Sequence, residues 1–160
     1  MRLERKAYDD RDFTLVEVGA ELPVETVMVE YTDVVAGAVS TGTYFRGHID
    51  PAYATRQNKR GIYLATGSIN GLLDAYVARW CGPRAFLRRR SVTMKGSICA
   101  GDTITYGGVV RSFERAECPV AQQVPTDAEL IGIDVTIINQ AGETCVRAQV
   151  SMQIPVRTAR

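Results

Sequence analysis

One stretch limits the folds open to this chain more than any other. It runs from Ile62 to Trp80, IYLATGSINGLLDAYVARW, and leads at once into Cys81-Gly82-Pro83. Apolar residues at 62, 65, 69, 72, 73, 76, 77 and 80 recur at helical spacing, so the stretch predicts a long helix. Gly82 is placed to cap its C-terminus, and Pro83 cannot continue it. Beyond this stop the chain reads as strand. Phe86 to Met94 is one strand, and Asp102 to Phe113 is a second, entered by the Ala100-Gly101 turn. Glu129 to Asn139 and Glu143 to Pro155 form a hairpin around Gln140-Ala141-Gly142. A helix this apolar cannot lie exposed, so the sheet must wrap it. The expected class is α+β, an antiparallel meander around one central helix. Each glycine inside that helix costs about 1 kcal/mol against alanine. Gly67 and Gly71, among Ala65, Thr66 and Ser68, mark its first half as a place of close approach by a backbone or a ligand.

The N-terminal half is more broken. Residues 1–14 are charged and are expected to be an arm or a peripheral turn. Leu22 to Tyr31 is Val-rich and reads as a strand. Thr32 and Asp33 offer N-caps for a short helix through Val39. Ser40 to Pro51 is a Gly-containing loop, and Asp50-Pro51 opens another short helix with Pro51 at its first position. Later, Arg115 to Asp127 contains Pro119 and Pro125 and reads as a long loop. No repeat or linker interrupts the pattern, so residues 1–160 are expected to form one domain, long enough for a sizeable core.

Charge and cysteine usage exclude several classes of function. Nineteen Lys and Arg balance eighteen Asp and Glu, which gives no chain-wide footprint for nucleic acid or a membrane surface. The start, MRLERKAYDDRDF, is too charged for a signal peptide, and no apolar run approaches the roughly 18–20 residues of a span. A soluble, cytoplasmic protein is expected. Cys81, Cys99, Cys118 and Cys145 form no C-x-x-C pair and share the chain with a single histidine. They are expected to be reduced thiols in or near the core, with no metal and no cofactor.

That histidine, His48, sits in Gly42-Thr43-Tyr44-Phe45-Arg46-Gly47-His48-Ile49-Asp50-Pro51. Any imidazole acid–base step must use it or borrow one from another subunit. The run resembles the catalytic loop of the MaoC-like hydratases and dehydratases of the hot-dog fold, Gly-Asp-x-Asn-Pro-x-His-x-Asp. Three other stretches carry the same resemblance. Val18-Gly19-Ala20-Glu21-Leu22-Pro23 is similar to the family's opening, and Ile62 to Gly82 to its central helix. Ser91 to Lys95 with Ala100-Gly101-Asp102-Thr103 is similar to its strand–turn–strand segment. From Ile62 to Gly108 the chain also resembles, without gaps, the small subunit of the heteromeric enoyl-CoA hydratases of actinobacterial steroid side-chain degradation. Shared features include Trp-x-Gly-Pro at the helix end and the Asp-Thr strand start.

The resemblance implies a hot-dog fold and addition or removal of water at an α,β-double bond of an acyl-CoA or carrier-bound acyl group. It also implies a homodimer, or a hetero-oligomer with another MaoC-like chain. His48 matches the family's acid–base imidazole. Thr43 stands where the family has its catalytic Asp, and Phe45 and Arg46 replace its Asn-Pro. A hydroxyl can hold a water or bond His48, but it is no base near neutral pH. Asp50 is then a candidate to orient the imidazole. Ala65 takes the position of the family's oxyanion glycine, where only the backbone N–H is needed.

Asn70, Tyr44 and Tyr63 are candidates for substrate contact, although a core, loop or dimer contact explains such residues as well. Strand alternation sends Arg88 and Arg90 to one face, suited to carrier phosphates or to an intersubunit salt bridge. Three readings stay open: a hydratase with an altered loop, a non-catalytic or half-site subunit serving a catalytic homologue, and a hot-dog enzyme turned to isomerisation or cyclisation. A thioesterase fits less well, because the acidic residue on the helix, Asp74, lies too far along it.

Overall fold

The computed structural model describes residues 11–115 and 128–155. Five antiparallel strands form one sheet in the order β1-β3-β4-β5-β2. They are β1 (Glu21–Met28), β2 (Phe86–Met94), β3 (Thr103–Arg115), β4 (Ala128–Ile138) and β5 (Thr144–Pro155). Three helices precede β2: α1 (Tyr31–Ser40), α2 (Pro51–Arg56) and α3 (Thr66–Cys81). The sheet curls around α3, which is the hot-dog arrangement.

Alternation makes the core. Along β4, Ile131, Ile133, Val135 and Ile137 are buried, and along β5 so are Val146, Ala148, Val150, Met152 and Ile154. Residues two apart share a face, so these two strands present an unbroken apolar surface to the helix. From α3, Ile69, Leu73, Tyr76, Val77 and Trp80 pack onto it. Each fully buried side chain of this size stabilises the fold by roughly 1.5–3 kcal/mol. Within the segment expected to be peripheral, Phe13 is buried edge-on against Trp80, 6.1 Å between ring centroids. Residues 1–10 and Cys118, like the loop expected between β3 and β4, fall outside the described residues.

The stop of α3 agrees with the sequence reading. Gly82 adopts φ 84° and its N–H reaches Ala78 O at 2.9 Å. β2 spans the expected residues, and Gly142, at φ 76°, turns the β4–β5 hairpin. Two expectations are corrected. The N-cap of α1 is Glu30, not Thr32 or Asp33; Asp33 lies in the first turn and accepts the Glu30 N–H at 2.9 Å. The start of α3 is Thr66, not Ile62. Residues 62–64 are extended instead: Leu64 N–H bonds Ile98 O, Ala100 N–H bonds Ile62 O, and Tyr63 bridges Cys99. That long-range pairing outweighs helical spacing, and it sets the frame for the site.

Candidate active site

His48 is delivered by a loop whose two ends are fixed by local chemistry. At its start, Gly42 takes φ 66°, its N–H bonds Val39 O at 3.0 Å, and the Thr43 N–H bonds Ala38 O at 2.8 Å. This is a Schellman closure of α1, and glycine supplies the left-handed residue it requires. At its end, Asp50 caps α2 by accepting the Tyr53 N–H at 3.0 Å, with Pro51 at the first helical position. Between them Arg46–His48 form a single 3-10 turn.

The imidazole is buried and lies between two rings. Phe45 meets it edge-on at 5.5 Å between centroids, and Tyr63 at 5.1 Å. The turn can approach Tyr63 this closely because residue 47 is glycine. A Cβ there would sit 2.6 Å from Tyr63 Oη and 2.7 Å from Phe45 Cε1. Among the described residues the imidazole has one hydrogen bond, between Nδ1 and Tyr63 O at 2.7 Å. A carbonyl oxygen only accepts, so Nδ1 carries the proton. In the neutral ring Nε2 therefore holds the lone pair that no described residue engages.

The other expected members of the site are placed differently. Asp50 does not orient the imidazole. Arg46 binds its Oδ2 at 2.6 Å and the α2 cap takes its Oδ1, and the Arg46 hydrogen bond holds its carboxyl below the usual carboxylate range. Thr43 bonds Thr41 rather than His48, Oγ1 to Oγ1 at 3.1 Å. Thr41 Oγ1 lies 2.9 Å from Gly37 O, so its proton goes to the helix end and Thr43 donates to Thr41. The lone pairs of Thr43 remain available. No carboxylate of the described residues bonds His48.

Ala65 lies two residues beyond Tyr63 and is the N-cap of α3, buried and extended at φ −67°, ψ 149°. No acceptor among the described residues takes its N–H. A buried orphan N–H at a helix start suits a developing negative oxygen. Asn70 lies one turn further along α3, and its buried Oδ1 has no partner among the described residues. Tyr44 stays exposed.

The basic residues are rearranged most. A bulge between Leu87 and Arg89 breaks the alternation of β2. Arg90 turns to the helix face and binds Asp74, whereas Arg88 goes to the opposite face and bonds Gln153 at 2.6 Å. The expected shared face does not exist. Cations outside that run lie against the rings of Tyr53 and Tyr63. Lys59 Nζ is 5.8 Å from the Tyr63 ring, and Arg46 and Arg56 approach the Tyr53 ring at 5.0 and 5.9 Å. The spacing of 46, 56 and 59 across two short turns gave no periodic signal to find them by. Behind this layer, Asp102 is fully buried. Arg60 holds it at 2.5 and 2.8 Å, the Cys99 N–H at 2.7 Å and Gln140 at 3.1 Å. Burial pushes its carboxyl upward, but these donors together hold it below the usual range.

Comparison with known proteins agrees with this fold. The five-stranded antiparallel sheet curled around α3 defines a hot-dog protein. The chain matches no family model. It is 30% identical over 93 residues to the 3-oxo-4,17-pregnadiene-20-carboxyl-CoA hydratase beta subunit of Mycobacterium tuberculosis, covering 58% of this chain and 72% of that protein. It superposes with a TM-score of 0.74 and 26% identity on a chain of the ChsH1-ChsH2 complex from Mycobacterium tuberculosis, over 88% of this chain and 99% of that one. The R-hydratase PhaJ1 from Pseudomonas aeruginosa shares the fold at a TM-score of 0.71 and 19% identity, over 91% of this chain and 86% of that one. The chain belongs to the MaoC-like hydratase and dehydratase family.

Proposed function

We propose that this chain is one subunit of a heteromeric acyl-thioester hydratase or dehydratase, with His48 as its acid–base residue. The observation that carries the reading is the Nδ1 bond to Tyr63 O, which presents a basic Nε2 on the residue stretch that leads into α3. The thioester oxygen sits on the Ala65 N–H. Nε2 takes a proton from a water held by the lone pairs of Thr43. The water oxygen bonds the β-carbon, and the π pair moves to an enolate stabilised at the helix start. The imidazolium then returns a proton to the α-carbon. Dehydration is the reverse.

A CoA or carrier-bound substrate is supported by Lys59 and Arg56 beside the Tyr63 and Tyr53 rings, since guanidinium and ammonium groups suit phosphates. A heteromer is supported by the similarity to a hydratase beta subunit and to a chain of a two-protein complex. General acid–base catalysis contributes about 10²–10⁴ in rate. On the active preparation, His48→Ala is expected to remove at least about a hundredfold of kcat with little change in melting temperature. His48→Gln is expected to fail as well, because an amide cannot exchange the proton.

A second reading is favoured by one observation, the lack of a carboxylate bonded to His48 among the described residues. In it, this chain is a half-site subunit and a partner of the same family supplies the catalytic pair. Near-full activity of the complex carrying His48→Ala would select that reading.

A further inference from the structure

The surroundings of His48 also suit a second reaction, the movement of a proton between two carbons. Hydration in two-group fashion needs a carboxylate beside the imidazole. Here Asp50 is held by Arg46 and by the α2 cap, and the Thr43 hydroxyl proton is spent on Thr41. What flanks the ring is Phe45 on one side and Tyr63 on the other, with Gly47 beneath Tyr63. One nitrogen is free, its walls are aromatic, and a buried N–H waits at the start of α3.

We propose that the chain catalyses migration of a carbon–carbon double bond between the β,γ- and α,β-positions of an acyl thioester. This rests on the thioester being seated as under the proposed function, with its oxygen on the Ala65 N–H. Starting from the β,γ-isomer, Nε2 removes the α-proton. The C–H pair delocalises over a dienolate whose oxygen takes the Ala65 N–H bond. The imidazolium then delivers the proton to the γ-carbon, and the double bond comes to rest at α,β. One C–H bond breaks and one forms. No water, oxidant or second acid is consumed. A single imidazole serves both carbons because Nδ1 keeps its proton, donated to Tyr63 O, throughout, leaving Nε2 as the sole carrier.

The test uses the purified full-length chain and a 3-enoyl-CoA, monitored by the ultraviolet absorbance of the conjugated thioester and by NMR of the products. The conjugated 2-enoyl-CoA is expected to form at least about a hundredfold faster than in buffer, the range of one general base. Deuterium placed at the α-carbon should appear in part at the γ-carbon, because one base carries it. His48→Gln, checked for an unchanged melting temperature, should abolish the reaction. If the same preparation hydrates a 2-enoyl-CoA but leaves the 3-enoyl-CoA untouched, the isomerisation is overturned and the hydratase reading stands. If neither thioester reacts, with or without the partner chain, both fall. Isomerisation that survives in His48→Gln overturns the single-base route.

Discussion

Asp102 and His48 are both buried polar side chains close to the same extended segment, and the structure treats them in opposite ways. Asp102 is saturated: a guanidinium, a backbone N–H and a side-chain amide share its two oxygens. Among the described residues His48 makes one hydrogen bond, and its other nitrogen has none. The two are linked, since Asp102 accepts from Cys99, Cys99 pairs with Tyr63, and Tyr63 O holds the imidazole. Burial of a polar group is costly unless its hydrogen-bonding capacity is met. The satisfied group therefore reads as architecture, and the group left with an open valence reads as chemistry.

That contrast can be broken by exchanging the two roles. The largest effect is expected at the saturated residue. Asp102→Ala orphans the Cys99 N–H and removes a charged hydrogen-bond acceptor, while half-exposed Arg60 returns to water. A loss of roughly 2–3 kcal/mol in urea unfolding is expected. The native carboxyl is held below its ordinary value near 3.8, so its contribution is present above that pH and is lost as pH falls through the lowered value. Asp102→Asn should flatten that acid limb of the stability profile; an unchanged limb would place the dependence elsewhere.

A smaller effect is expected where His48 is positioned. Gly47→Ala puts a methyl group against Tyr63 and Phe45. Overpacking of this kind costs about 1–3 kcal/mol, so a lower melting temperature together with reduced turnover is the expected pair of readings. Loss of stability with full activity would show that the ring contacts do not position the imidazole. The smallest effect concerns Thr43. Thr43→Asp restores a carboxylate five residues before His48 and should raise hydration of a short enoyl-CoA by about tenfold, which corresponds to about 1.4 kcal/mol in the barrier. No gain would show that the loop holds residue 43 out of reach of the substrate, and would favour the half-site reading.

Much of the fold was legible because it depends on local signals. Gly82-Pro83 stops α3, Gln140-Ala141-Gly142 turns the β4–β5 hairpin, and Asp50-Pro51 opens α2. The start of α3 was not, because Ile62 and Leu64 suit either a helix or an extended segment until Ile98 and Ala100 are known to lie beside them. The separation of Arg88 from Arg90 was hidden for the same reason: a bulge is a property of two strands, and the sequence of one does not announce it. At the site, His48 and Ala65 could be placed by motif. The partner of Nδ1 could not, since it is a main-chain oxygen and no residue type encodes it. Tyr63 was a candidate for its ring, and its carbonyl turned out to hold the imidazole as well.

A main-chain partner for Nδ1 changes how such a loop can evolve. A tautomer fixed by a side-chain carboxylate is lost with one codon. Here the acceptor belongs to the backbone of an extended segment, so no substitution at position 63 that preserves the strand deletes it. The loop can change at Thr43, Phe45 or Arg46, and the imidazole still keeps its proton on the same nitrogen. Residues around it are thus free to be resampled, while the orientation of the imidazole stays in place across the resampling.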